Sequence, residues 1–331
     1  MGQPKYTTLS EALQSVPDPR HARGKRYPWL FLLTLIAAAM PLTTASPASA
    51  TITTREGQVL QGQALDGKEV RGAQTHGQPL TLVSLVQQGT GITLAQVETD
   101  AKSNEIPAAA QLLAGRDLTN TVTTADALHT QRHLAQQILD QNGHYLMIVK
   151  ENQPELYHAI ALLFEQPPWL KQEQSKEYQV HPCANKGHGR LEKRRLESST
   201  TLCPYLDWPG VGQVMRRECE RRIVKTGQIT RKMRYGITSL RPQQAGAEQL
   251  ELLWRRHWTI ENRDHYVRDV TLGEDGQVHT GHAAHALAAF RNAILSLFRW
   301  KGWTNIAAAI LHYAASVVRA LELIGAVPAR L

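Results

Sequence analysis

A chain of 331 residues that is 42% hydrophobic and 20% charged is neither disordered nor fibrous, and it has the apolar residues for a sizeable core. Its three cysteines, Cys183, Cys203 and Cys219, include no CxxC pair and argue against a disulfide framework; together with His181 and His188 they fit no structural zinc spacing. With 37 basic against 29 acidic residues, the formal charge of +8 favours a polyanionic partner, either nucleic acid or an anionic membrane surface.

In chain order, residues 5–15 pattern as a short amphipathic helix, "PDPRHARG" as a turn, and 29–40 as a second, apolar helix. Residues 23–50 have the grammar of a secretory signal: a basic start, an apolar run and a small-residue end. The run from Trp29 to Met40 is too short to span a membrane. A long polar region also precedes it, so a buried helix of a small N-terminal unit is expected instead. A Ser/Thr/Ala/Pro-rich linker then reaches residue 58.

Strand texture begins there. "VLQGQALDGKEVRG", "LTLVSLVQQ" and "ITLAQVET" predict an antiparallel meander separated by glycine-containing turns. "NEIPAAAQLLAG" predicts a helix with Pro107 near its start, "TVTTADA" a short strand, and "TQRHLAQQILDQNG" a helix stopped by Gly143. "HYLMIVK" reads as a buried strand and "PELYHAIALLFEQ" as a helix. Three meander strands followed by alternating helix and strand is the plan of an RNase H-like mixed sheet flanked by helices, an α/β fold. The polar, basic stretch 166–246 predicts four more strands, with a hairpin at "KTGQ". Helix returns over 248–270, then a Gly-Glu-Asp-Gly loop, then helices through 283–325. The expected division is a truncated helical N-terminal region and linker (1–58), a first core part (59–165), a β-rich basic insertion (166–246), and a last core part with C-terminal helices (247–331).

Two aspartates stand at strand ends in this plan: Asp66 in "ALDGKEVRG" and Asp126 in "TTADALHT". The first and fourth strands of such a sheet are neighbours, so the two carboxylates face one crevice. Glu261, on the helix after the insertion, can close the site from the side. At 3.6 residues per turn it shares a helix face with Trp254, His257, His265 and Arg268. Hard oxygen ligands of this kind suit Mg²⁺ or Mn²⁺, and two ions about 3.5–4 Å apart can activate the attacking oxygen and stabilise the leaving one. Each residue also has a plainer reading. Asp66-Gly67 can be only a turn, Asp126 a helix cap, and Glu261 part of a solvated ion-paired face. Asp269, Glu274 and Asp275 are rival carboxylates, ranked lower because "GED" ends in a loop.

Several stretches carry a family resemblance: "DPRHARGKRYP" (18–28), "ALDGKEVRGA" (64–73), "DAKSNEIPA" (100–108), "TTADALHTQ" (123–131), "YLMIVKENQP" (145–154), "GHGRLEKRR" (187–195), "YGITSL" (235–240) and "RRHWTIENRDHYVRDVTLGED" (255–275). In this order the chain resembles DDE-type insertion-sequence transposases of the H-repeat-associated (ISAs-type) group. The resemblance implies an RNase H-like core with Asp66, Asp126 and Glu261 as catalytic and metal-binding residues, and metal-dependent DNA strand cleavage and transfer. Related transposases place a tyrosine, an arginine and a lysine around the glutamate, where this chain has Trp254, His257 and Arg268. Their N-terminal helical region is also longer. A DNA-binding remnant without catalysis is the alternative.

Lys68, Arg71, Lys150, His188, Arg190, Arg255, Arg256, His257 and Arg268 are the expected DNA contacts, with Lys150, Arg190 and Arg256 foremost for phosphate. The expected partners are transposon ends, target DNA and a second copy of the chain during transposition, not a membrane. The expected location is the bacterial cytoplasm, at the nucleoid.

Overall fold

The computed structural model describes residues 51–75, 78–99, 105–167, 177–277, 279–280 and 282–324. The helices expected at 5–15 and 29–40 lie outside the described residues. Among the described residues, no helix is long and apolar enough to cross a membrane.

The first described residues correct the expectation of a linker reaching 58. Strand β1 (Thr51–Thr53) pairs antiparallel with the start of β2 (Val59–Thr75), Thr53 facing Val59. Its β-branched residues favour the pleat, and Ile52 buries into the core beside Leu60. The meander follows as expected, β2 pairing with β3 (Gln78–Gln87) and β3 with β4 (Thr93–Glu98).

Helix α1 (Glu105–Leu113) buries Ala108, Ala109, Leu112 and Leu113, spaced to share one face. Strand β5 (Thr121–Ala125) lies parallel to β2. Helix α2 (Arg132–Asp140) does not stop on Gly143. The left-handed residue is Asn142 (φ 62°), and the Gly143 N–H closes the end on the Ile138 carbonyl at 2.9 Å. Gly143 is needed for a different reason, since a Cβ there would lie 2.7 Å from Leu118 Cβ. Strand β6 (His144–Val149) lies parallel to β5, and α3 (Pro154–Glu165) starts with proline in its first turn.

Strands β7 (Tyr178–Gly187), β8 (Arg190–Ser199), β9 (Gln213–Ile223) and β10 (Ile229–Thr238) form an antiparallel ladder. This ladder does not make a sheet of its own. β10 pairs with β6, Tyr235 against Val149, so one mixed sheet runs β4-β3-β2-β5-β6-β10-β9-β8-β7. The turn between β7 and β8 uses His188 (φ 49°) and Gly189 (φ 70°), the two positive values that a tight hairpin requires.

The sheet is covered on both faces, and β6 shows why. Tyr145, Met147 and Val149 point into a core shared with α1, α2 and α3. Leu146 and Ile148 point to the opposite face, where Leu250, Leu253 and Trp254 of α4 (Ala247–His257) pack. Helix α4 does not continue regularly to 270. Two π-helical segments, Ile260–His265 and Val267–Thr271, follow it, as the Tyr266 N–H bonded to the Glu261 carbonyl and the Leu272 N–H bonded to that of Val267 show. Short β11 (His279–Thr280) then lies parallel to Ala73–Gln74 of β2. Helices α5 (His282–Trp300), α6 (Ile306–Ala314) and α7 (Val317–Leu323) complete the described chain.

Candidate metal centre and nucleic-acid groove

Register brings the two aspartates together. On parallel β2 and β5, Leu65 faces Ala125, so Asp66 and Asp126 each follow one residue beyond the last pair. Neighbouring strands lie about 4.8 Å apart. Asp126 follows the end of β5, whereas Asp66 lies within β2, which runs on to Thr75 instead of ending at Asp66 as expected. Ligand atoms of Asp66, Asp126 and His129 lie within 4.8 Å of one another. Asp126 also organises the turn that follows, its Oδ1 accepting from the N–H groups of Leu128 (3.0 Å) and His129 (3.4 Å). Thr130 Oγ1 pins this turn to the carbonyls of Asp126 and Ile148. Glu105, in the first turn of α1, lays its carboxylate over Gly67, where a Cβ would sit 1.9 Å from Glu105 Oε2. The same Oε2 lies 3.4 Å from His129 Nε2. From the π-helical side, His265 Nδ1 comes within 3.9 Å of Asp66 Oδ2.

Burial pushes the Asp66 carboxyl up to about 7, the charge of Asp126 adds to this, and His129 and the Gly67 N–H only partly oppose it. Glu261 lies outside the three-residue group, at a solvent-exposed position, although it is close enough to raise the Asp66 carboxyl slightly. Its own carboxyl is raised by partial burial, lowered by Arg234 and raised by Asp126. Burial lowers His257 and His265 to about 4, which keeps both rings neutral at pH 7. Two carboxylates crowded side by side, next to a buried imidazole whose nitrogens make no hydrogen bond, are a donor set suited to a divalent cation.

The π-helical turns also break up the stripe expected around Glu261. Trp254, His257 and Arg268 point inward while Glu261 stays at the surface, and between Glu261 and Arg268 the i→i+5 bonding removes the 3.6-residue spacing. Three expected DNA contacts are therefore corrected. His257 is buried against Thr124, its Nδ1 3.0 Å from the hydroxyl. Arg268 is fully buried, 2.8 Å from Glu274 and 3.5 Å from Asp264. Lys68 is buried among Asp269 (2.7 Å), Asp275 (3.2 Å) and Glu274 (3.6 Å). Arg291 joins from α5 at 3.2 Å from Glu274. The three rival carboxylates are thus anchors of an ion cluster that ties β2 to the π-helical turns.

The remaining basic residues lie at or near the surface. Arg71 and His188 are exposed, and Lys150 lines a cleft with Asp126, Tyr157 and Arg234. Arg256 turns to the Thr51 carbonyl at 3.1 Å, whereas Arg190 and Arg255 line a second cleft. That second cleft is one face of the β8–β9–β10 ladder, made by alternate residues: 190, 192 and 194 on β8, 217, 219 and 221 on β9, and 230, 232 and 234 on β10. Seven of its lining side chains are basic and one, Glu192, is acidic. Trp258 and Asn262 close it beside Glu261, with the Arg234 guanidinium 5.7 Å from the Trp258 ring centroid. Arg234 lines both clefts, so they meet at its side chain, and Asp126 lines the first of them. Sequence reasoning missed Arg234, His129 and Glu105. The period-two basic pattern in "ITRKMRYG" was a usable signal for the first; no spacing rule marks the other two.

Residues 57–297 match the family model described as Transposase DDE domain. The chain is 31% identical over 249 residues to YncI of Escherichia coli O157:H7, a candidate transposase, covering 71% of this chain and 61% of the relative. It is 29% identical over 246 residues to YhhI of Escherichia coli strain K12, a candidate H repeat-associated transposase, covering 71% and 63%. The chain spans 61–63% of the length of these curated relatives. A solved piggyBac transposase synaptic complex with hairpin DNA aligns at a TM-score of 0.42 and 10% identity, over 82% of this chain and 50% of that one.

Proposed function

The chain belongs to the transposase DDE domain family, and from that premise we propose that it cleaves and transfers DNA strands with Asp66, Asp126 and Glu261 as its catalytic carboxylates. The observation that carries this reading is the parallel register that sets Asp66 beside Asp126, with Asp126 lining a cleft that Arg234 shares with the basic face of the β8–β9–β10 ladder. The order β4-β3-β2-β5-β6 supports an RNase H-like core made by 59–165 and completed by 247–331. In this reading 166–246 is a β-rich insertion that lengthens the sheet.

Two Mg²⁺ or Mn²⁺ ions, when bound, would supply Lewis acidity to the phosphoryl oxygen and a lower pKa to the attacking water. Asp66 and Asp126 would hold them, with Glu261 closing the site. The chain's own residues do the rest. Lys150, Arg190, Arg234 and Arg255 neutralise phosphates along the clefts, and Trp258 offers a ring face to a base. The partners are transposon ends and target DNA, met by a homodimer in the bacterial cytoplasm.

The test is nicking of supercoiled plasmid DNA. Asp66→Asn, Asp126→Asn and Glu261→Gln should each lower Mg²⁺-dependent cleavage by at least about a hundredfold while DNA binding persists. Undiminished cleavage by any one removes that residue from the triad. DNA affinity should also fall with salt, with a log–log slope of about −0.9 per phosphate neutralised. Arg234→Ala should flatten that slope by about one such step. An unchanged slope would take Arg234 off the DNA path.

A further inference from the structure

His129 is fully buried, yet neither of its ring nitrogens makes a hydrogen bond. A polar side chain rarely sits that way unless something else fills the place of the missing partner. What surrounds it is specific. One ring nitrogen lies within 4.8 Å of oxygens of both Asp66 and Asp126. The Glu105 carboxylate lies 3.4 Å from Nε2. The surrounding fold fixes all four residues. Asp126 and His129 belong to one turn, joined by the His129 N–H on the Asp126 carboxylate and pinned by Thr130. Glu105 reaches the ring only because residue 67 is glycine.

We infer that His129 is a nitrogen ligand of the cation held by Asp66 and Asp126, and that Glu105 is the positioning residue that orients its ring. The inference rests on the metal-dependent reading proposed above and deepens it. A carboxylate behind a metal-bound imidazole fixes the ring's tautomer and direction, which is the role the Glu105 contact fits. The consequence is chemical. Mg²⁺ is best served by oxygen donors, whereas an imidazole nitrogen is better tolerated by Mn²⁺ and later divalent metals. The centre should therefore favour Mn²⁺ over Mg²⁺ more than an all-carboxylate site would. His265 faces Asp66 from the opposite element and is the competing nitrogen donor.

The experiment is Mn²⁺ titration of the full chain with pulsed electron paramagnetic resonance. Nitrogen hyperfine coupling to bound Mn²⁺ is expected in the wild-type protein and in His265→Asn, and is expected to vanish in His129→Asn. Glu105→Gln should keep the coupling and weaken Mn²⁺ binding about 10–100-fold. Bound Mn²⁺ without nitrogen coupling in the wild-type protein overturns the inference without using any variant. So does coupling that survives in His129→Asn or disappears in His265→Asn. The two readings separate on the aspartates. If Asp66→Asn and Asp126→Asn abolish Mn²⁺ binding but the wild type shows no nitrogen coupling, only the role of His129 fails. If they leave Mn²⁺ binding unchanged, the carboxylate centre fails and this inference falls with it.

Discussion

Arg268→Ala is expected to cost about 3–5 kcal/mol of stability, the usual penalty for removing one partner of a buried ion pair. The guanidinium is fully buried between Asp264 and Glu274. Glu274 would keep Arg291 at 3.2 Å and Lys68 at 3.6 Å, which places the effect toward the lower end of that range. Asp264 would keep the Thr93 hydroxyl at 3.1 Å and the nearby charge of Arg299. For a chain of this size the midpoint of thermal unfolding should fall by on the order of 10 °C. The measurement separates two roles. A phosphate contact would leave the melting point alone and flatten the salt dependence of DNA binding by about 0.9. A stable Arg268→Ala protein with a flattened salt slope would return this residue to the DNA interface.

Asp66→Asn should move stability and cleavage in opposite directions. The folded chain holds the Asp66 proton to about pH 7, whereas an unperturbed aspartate releases it near 3.8. The folded state therefore binds more protons in that interval, and stability falls as pH rises from the lower value to the higher. Above pH 7 the full cost is present, at most about 4 kcal/mol from the pKa difference and on the order of 2 kcal/mol after relaxation. Asparagine carries no charge and escapes it. In chelator at pH 8 the variant should melt higher than the wild type, with a smaller gap at pH 5. Cleavage should be lost at both. A variant that melts lower at pH 8 would mean that the Asp66 carboxylate is already well solvated or paired without metal.

Much of this arrangement could be read from residue patterns. Alternation and turn glycines located every strand from β2 to β10, and the order of those strands was enough to pair Asp66 with Asp126, although only Asp126 lies beyond a strand end and Asp66 sits within β2. Three things were not legible. The π-helical turns add a residue to a turn without any compositional mark, so the stripe through Glu261 looked continuous and Arg268 looked like a surface cation. Charge alone could not show that Lys68 is consumed by three carboxylates brought from more than two hundred positions away. The contact of Glu105 with His129 joins two helix approaches, and only the packing of α1 over Gly67 reveals it.

The short pairing of His279–Thr280 with Ala73–Gln74 also sets a schedule. As a ribosome delivers this chain, Asp66 and Asp126 emerge early and can meet on neighbouring strands. The basic ladder follows and joins β6. Glu261, the ion cluster and the strap on β2 arrive only when most of the chain has been made. Translation therefore exposes the basic ladder before the π-helical turns and the strap that close over β2, and their docking is among the later events of synthesis.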